Sequence, residues 1–236
     1  MRKTVALLFV LFAIQIHAQG PTGIFGTDPI VNLENFDKQR VHWGYFLGFN
    51  SYDFKFEFKD PNQSIQTTRT TGFNVGLIGD LRLHEYFDLR FEPGLYYTQR
   101  DLHFSGFAAD DEINSLREVR STYIHFPLLL KFSALRTGNV RPYLVGGGSA
   151  TLNLSSNFKS MDDNQQQRFR MKQWTTNYEV GFGIDLYFEY FKFSPSVRGV
   201  FGLSDEVIRD ADPNSPWTGN IASMKTRAVL INFTFH

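Results

Sequence analysis

From Trp43 to the C-terminus the chain alternates apolar and polar residues with a period of two, and such a pattern builds strands rather than helices. Phe87, Leu89, Phe91, Leu95 and Tyr97 alternate with Asp88, Arg90, Glu92, Gly94 and Thr98. Ile124, Phe126, Leu128, Leu130 and Phe132 oppose Tyr123, His125, Leu129 and Lys131. Trp174, Tyr178, Val180, Phe182, Ile184 and Leu186 oppose Asn177, Glu179, Gly181, Gly183 and Asp185. The same rhythm closes the chain at Val229, Ile231, Phe233 and Phe235.

Counting these runs predicts eight strands, near 42–58, 70–83, 86–100, 119–133, 140–154, 173–187, 190–203 and 224–236. In the first, apolar residues occupy odd positions through Phe49 and even positions from Tyr52 to Phe58. That change of phase marks either a β-bulge or the point where the strand leaves a membrane. Pro93, Pro127 and Pro195 fall inside predicted strands, where each removes a ladder donor and permits a bulge or a break. The connections alternate between short turns and long polar loops. An even strand count with that layout predicts an all-β, eight-stranded, antiparallel up-and-down transmembrane β-barrel with both termini on the short-turn side.

The polar face carries Asp80, Asp88, Glu92, Glu179 and Asp185 against Arg82, Arg90, Lys131, Lys192 and Arg198, and the other face is almost entirely aliphatic or aromatic. A soluble barrel would turn its charges out; a membrane barrel turns them in. Three features favour the membrane: the aromatic share of 16% with 25 Phe, the terminal apolar run, and the start of the chain. Met1-Arg2-Lys3, the apolar Val5–Ile16 and Ala18 before Gln19 read as a secretory signal peptide over 1–18. Residues 19–41 then form a periplasmic lead-in and 42–236 the barrel. The expected location is the outer membrane, with both termini in the periplasm and lipid around a monomeric barrel. Eight strands leave a lumen wide enough only for side chains, so Asp88, Arg90, Glu92, Lys131, Glu179, Asp185, Lys192 and Arg198 are expected to form an interior charge network.

Equal numbers of bases and acids, 24 each, argue against a nucleic-acid partner. The absence of cysteine excludes thiolate metal sites and a Cys nucleophile. His84-Glu85 lacks the second histidine of a zinc protease helix. Asp210-Ala211-Asp212 opens like a calcium loop, but Ser215 and Ile221 stand where Gly and Glu are needed. No Gly-x-Ser-x-Gly turn occurs. His125 lies on the polar face and could serve as a general base, but a histidine satisfied by neighbouring charges is the plainer reading. Phe54, Phe56 and Phe58 fit either a partner-binding ridge or a lipid-facing aromatic girdle. No catalytic residue, cofactor or metal is expected, and the chain is read as a non-enzymatic barrel. The alternatives are a lipid-modifying acyltransferase-like barrel and a plain adhesin-like structural barrel.

Tyr123-Ile124-His125-Phe126-Pro127-Leu128-Leu129-Leu130-Lys131, Arg141-Pro142-Tyr143-Leu144-Val145-Gly146-Gly147-Gly148 and Gly181-Phe182-Gly183-Ile184-Asp185-Leu186 resemble strands of outer-membrane barrels of the Bacteroidota. The segment Val31-Asn32-Leu33-Glu34-Asn35-Phe36-Asp37-Lys38-Gln39-Arg40-Val41-His42-Trp43-Gly44 is more specific. Together with Phe46–Asn50 and Tyr52-Asp53-Phe54 it resembles the start of the PorT/SprT family. That resemblance implies a role in type IX protein secretion, and in gliding motility where present, through transport or assembly. It implies other secretion components as partners and brings no catalytic residues. Leu33, Asn35, Phe36, Asp37 and Lys38 interleave apolar and charged groups, and they are the candidate partner segment. Phe36 could instead simply plug the barrel mouth.

Overall fold

A computed structural model describes residues 31–60, 64–107, 111–161 and 168–236. The proposed signal peptide, 1–18, and the first part of the lead-in lie outside the described residues. Among the described residues ten strands follow one another: β1 (Val41–Phe58), β2 (Ile65–Arg69), β3 (Thr71–Arg82), β4 (Phe87–Phe91), β5 (Gly94–Phe104), β6 (Leu116–Ser133), β7 (Val140–Asn153), β8 (Trp174–Tyr187), β9 (Lys192–Gly202) and β10 (Ile221–Phe235). All pairings are antiparallel, and β1 pairs with both β3 and β10, so the sheet closes on itself. Eight staves make the ring: β4 with β5 is the strand predicted over 86–100, interrupted, and β2 extends the strand predicted over 70–83 into residues expected to be loop. Closure leaves every strand but β2 with two neighbours over most of its length, which lipid requires of a backbone it surrounds.

One interruption was foreshadowed by Pro93, which stands with Glu92 between β4 and β5. Pro127 sits in an unbroken β6–β7 ladder, opposite Ser149. Beside Pro195 the β8–β9 ladder lapses between the pairs Gly183–Ser196 and Leu186–Phe193.

The second interruption, at Thr70, is where a bulge-like step occurs. β3 aligns Phe73 with Tyr97 and β2 aligns Arg69 with Arg100, so the register against β5 slips by one residue across Thr70. A one-residue slip turns side chains to the opposite face. Ile65 therefore lies opposite the inward Phe104 and packs on the interior cluster.

β1 contains no such step near Ser51. Its register with β10 is continuous from Tyr45 to Glu57, and His42, Phe46, Asn50, Tyr52 and Phe54 are all buried inside the ring. The surroundings change instead. Outward residues are apolar from Val41 to Phe49, then become Ser51, Asp53, Lys55 and Glu57. Nine residues of apolar outer wall match the roughly 9–11 that a tilted transmembrane strand needs. Above that belt the barrel is a water-exposed one with an apolar core. Phe54 joins Leu102, Phe104, Val119, Met171, Trp217, Ile221 and Met224 there. Neither a lipid girdle nor a partner ridge describes Phe54, because it is buried in this core.

β1 and β2 do not pair. The ladder formed by Val41–Ser51 with β3 stops at the Ser51–Thr71 pair, next to the register step at Thr70. Lys59 N–H donates to Asn220 O at 2.9 Å, and Asp60 N–H to Asn220 Oδ1 at 2.7 Å, tying the top of β1 to the loop before β10. Across the resulting seam the outer link is Arg69–Asp53 at 3.7 Å, and the Phe54 N–H donates to Asp53 Oδ1 at 2.8 Å. An edge capped by a charged side chain is protected against stray pairing. The β2-facing amides of Tyr52–Phe58 should exchange hydrogen with water faster than the β3-facing amides of Trp43–Asn50. Mass-spectrometric exchange on the reconstituted protein measures this; equal protection of the two halves would mean the seam is closed.

Candidate functional site: a filled lumen closed at the short-turn mouth

Below the aromatic core the lumen holds charge. Asp80 and Arg90 are cross-strand neighbours on β3 and β4, which places both side chains on the inner face at one level. Arg90 donates to both carboxylate oxygens of Asp80, at 2.7 Å each, and to Glu92 at 3.3 Å. Arg198 bridges Glu92 at 2.6 Å and Glu179 at 3.2 Å. His125 Nε2 lies 2.6 Å from Glu179, and Nδ1 lies 2.7 Å from Thr151 Oγ1. Lys131 donates to Asp185 at 2.6 Å, and Ser194 Oγ–H to the other oxygen of Asp185 at 2.6 Å. All these residues are buried.

Of the eight residues expected in the network, Arg90, Glu92, Lys131, Glu179, Asp185 and Arg198 are joined by ion pairs or hydrogen bonds. Asp88 is not: it is half-buried near the short-turn mouth, opposite Arg82 in the ladder, and has no ion pair within 4 Å among the described residues. Asp80 takes the place expected of it. Lys192 is buried but also without such a pair, and its ammonium lies 4.8 Å from the ring centre of Phe36. Ser194 and Thr151 complete the network, although their hydroxyls carry no pattern that sequence reading could rank.

Thr151, His125 and Glu179 have the connectivity of a nucleophile, base and orienting acid. Yet His125 is wholly buried, and Asn177 donates to Thr151 at 2.9 Å. The adjoining void, between Tyr52, Tyr123, Thr151 and Val200, measures about 10 Å³. That is room for about one water molecule, far below what an acyl substrate needs. In this setting the trio acts as an anchor for Glu179.

At the boundary with the aromatic core sits Arg100, fully buried, with no carboxylate within 4 Å among the described residues. Its guanidinium donates to Ser121 and to the Tyr123 hydroxyl and lies 3.9 Å from the Phe54 ring centre. Aromatic faces partly compensate a buried cation. Glu206, in the loop above, accepts from Thr226 N–H and Oγ–H at 2.8 and 2.9 Å, and burial pushes its carboxyl up from the ordinary range. Asp210, first residue of the calcium-like stretch, accepts from Ser215, Thr218 and Arg170. Among the described residues, no group of three or more His, Asp or Glu is arranged to hold a metal.

The short-turn mouth is covered by the lead-in. Phe36, in a turn of 3-10 helix over Phe36–Lys38, stacks on His42 at 4.5 Å and meets His236 edge-on at 6.2 Å. Asp37 accepts from the Tyr187 hydroxyl at 2.8 Å and lies 3.8 and 3.7 Å from Arg136 and Arg141. Arg136 also donates to the carbonyls of Asn32 and Leu33. Within the candidate partner segment, Phe36 and Asp37 are thus engaged with the barrel and Leu33 is half-buried, whereas Asn35 and Lys38 are exposed and bonded to each other at 2.9 Å.

A closed antiparallel ring with an apolar outer belt and a charge-filled interior defines the class of outer-membrane β-barrels. Residues 19–207 match the family model described as outer membrane protein beta-barrel domain, and the chain belongs to that family. The protein resides in the outer membrane. No curated protein matches the chain. Among solved structures, it is similar to the outer membrane protein OprG from Pseudomonas aeruginosa, at 16% identity and a TM-score of 0.41, covering 83% of this chain and 93% of that one. AlkL, solved by solid-state NMR in DMPC lipid bilayers, is 14% identical with a TM-score of 0.41, covering 82% and 87%. The N-terminal β-barrel domain of Pseudomonas aeruginosa OprF is 13% identical with a TM-score of 0.37, covering 82% and 97%.

Replacing Arg198 with Ala leaves two buried carboxylates, Glu92 and Glu179, short of a cation. The expected loss of stability is on the order of 3–5 kcal/mol. Replacing Arg120, whose pair with Glu118 is exposed, should cost less than about 1 kcal/mol. Urea unfolding in lipid vesicles compares the two; equal effects would show that the lumen is hydrated.

Proposed function

We propose that this chain is a non-enzymatic barrel that supports type IX protein secretion by holding other components rather than by conducting cargo. Two things support the reading. The segment Val31–Gly44 resembles the start of the PorT/SprT family, and the lumen beside it offers no passage. The single observation that carries the non-conducting half is Arg198 bridging Glu92 and Glu179 across the lumen. A cargo chain would have to break those pairs in a dry interior. The working surfaces are then the exposed part of the lead-in, with Glu34, Asn35 and Lys38, and the long loops. In this reading both termini face the periplasm, the barrel is a monomer within the membrane, and its partners are lipid and secretion components.

The test compares proteins released by a strain lacking this gene, the same strain complemented, and one complemented with the Asn35→Ala, Lys38→Ala variant. Loss of secreted cargo in the deletion, with partial loss in the variant at normal outer-membrane level, is the expected result. An unchanged secretome in the deletion would overturn the secretion role and leave a structural barrel.

A further inference from the structure

The seam between β1 and β2 opens at its top into a cavity of about 410 Å³. At the seam β1 and β2 do not pair, and the end of β1 is tied on its other side, where Lys59 and Asp60 bond to Gly219 and Asn220. Phe58 and Ile65, at the two lips, line the cavity with Phe104 and Ile221 from the core behind. Polar groups, among them Asp60 and Asn214, complete the lining. A volume in the range of small-molecule pockets, lined by both apolar and hydrogen-bonding side chains, suits an amphiphile.

We propose that this cavity binds a single-chain amphiphile with a neutral head group. The chain would lie along Phe58, Ile65, Phe104 and Ile221, extending the interior core outward. The head would meet Asp60 and Asn214. A carboxylate head is disfavoured, since it would stand beside the Asp60 carboxylate. The site lies at the top of β1, well beyond the apolar outer belt that ends at Phe49, with Ser51, Asp53, Lys55 and Glu57 on the outward face between them. An amphiphile therefore enters it from the water at the long-loop end. The proposal concerns the long-loop end and is independent of any secretion role.

Trp217 lines the cavity and serves as reporter. Trp43 and Trp174 stand on the outer wall, 77% and 55% exposed, and are replaced by Phe so that the third tryptophan alone fluoresces. The protein is reconstituted in phosphatidylcholine vesicles and titrated with ω-bromoundecanol, whose bromine quenches by contact. The expected result is saturable quenching of Trp217, reversed by unbrominated undecanol. Gly106 also lines the cavity, and a Cβ there meets no atom within 4 Å. Gly106→Leu should therefore fill the space without disturbing the wall and abolish the saturable quenching. ω-Bromoundecanoate should require a higher concentration than the alcohol. Quenching that only rises in proportion to bulk probe, resists competition, or survives Gly106→Leu unchanged would overturn the site. Tighter binding of the carboxylate would overturn the neutral-head assignment.

Discussion

An eight-stranded ring has no room for bulk water, so the charges it turns inward need side-chain partners, carboxylates for most and aromatic rings for Arg100 and Lys192. The structure meets that constraint with a chain of pairs running from Asp80 through Arg90, Glu92 and Arg198 to Glu179 and His125. Arg90 and Arg198 each touch a carboxylate contributed by a different strand from their own, and His125 on β6 meets Glu179 on β8, so the network ties staves together across the lumen. Lys131 and Asp185 do the same between β6 and β8. Buried pairs of this kind add little net stability over an apolar filling, yet removing one member is costly. Here the polar filling is what lets an apolar outer wall face lipid while the backbone closes.

The same strands serve two solvents. Along β1 the inward parity never changes, but the outward residues pass from apolar to polar and charged at Ser51, and the inward ones, mixed from His42 to Asn50, are all aromatic from Tyr52 to Phe58. The lower barrel is inverted relative to a soluble protein and the upper barrel is not. Arg100, held among Tyr52, Phe54 and Tyr123, marks the junction. The upper core needs no membrane to form, which explains why this end can tolerate a seam that lipid would not.

The alternation made the ring, its strand count and the inward set legible from sequence. Parity identifies a face but not a height or a partner. Asp80 and Asp88 share the polar face, and only the β3–β4 register sets Asp80 opposite Arg90 and Asp88 opposite Arg82, near the mouth. The phase change in β1 was ambiguous for the same reason: a bulge and an exchange of solvent write the same letters. The true face-switching step, at Thr70, falls in a run of four threonines around Arg69 with no apolar rhythm to reveal it. The mouth closure by Phe36 and Asp37 depends on Tyr187, Arg136 and Arg141, far along the chain.

The central claim is that β1 keeps one inward face while its surroundings invert at Ser51. The chain has no cysteine, so single cysteines can be placed from Trp43 to Glu57 and probed in intact membranes with a water-soluble thiol reagent. The account predicts protection at Trp43, Tyr45, Leu47 and Phe49, reaction at Asp53, Lys55 and Glu57, and protection at Tyr52 and Phe54. Reaction at Tyr52 and Phe54 with protection at Asp53 and Lys55 would mean the strand turns over at Ser51, and would contradict it.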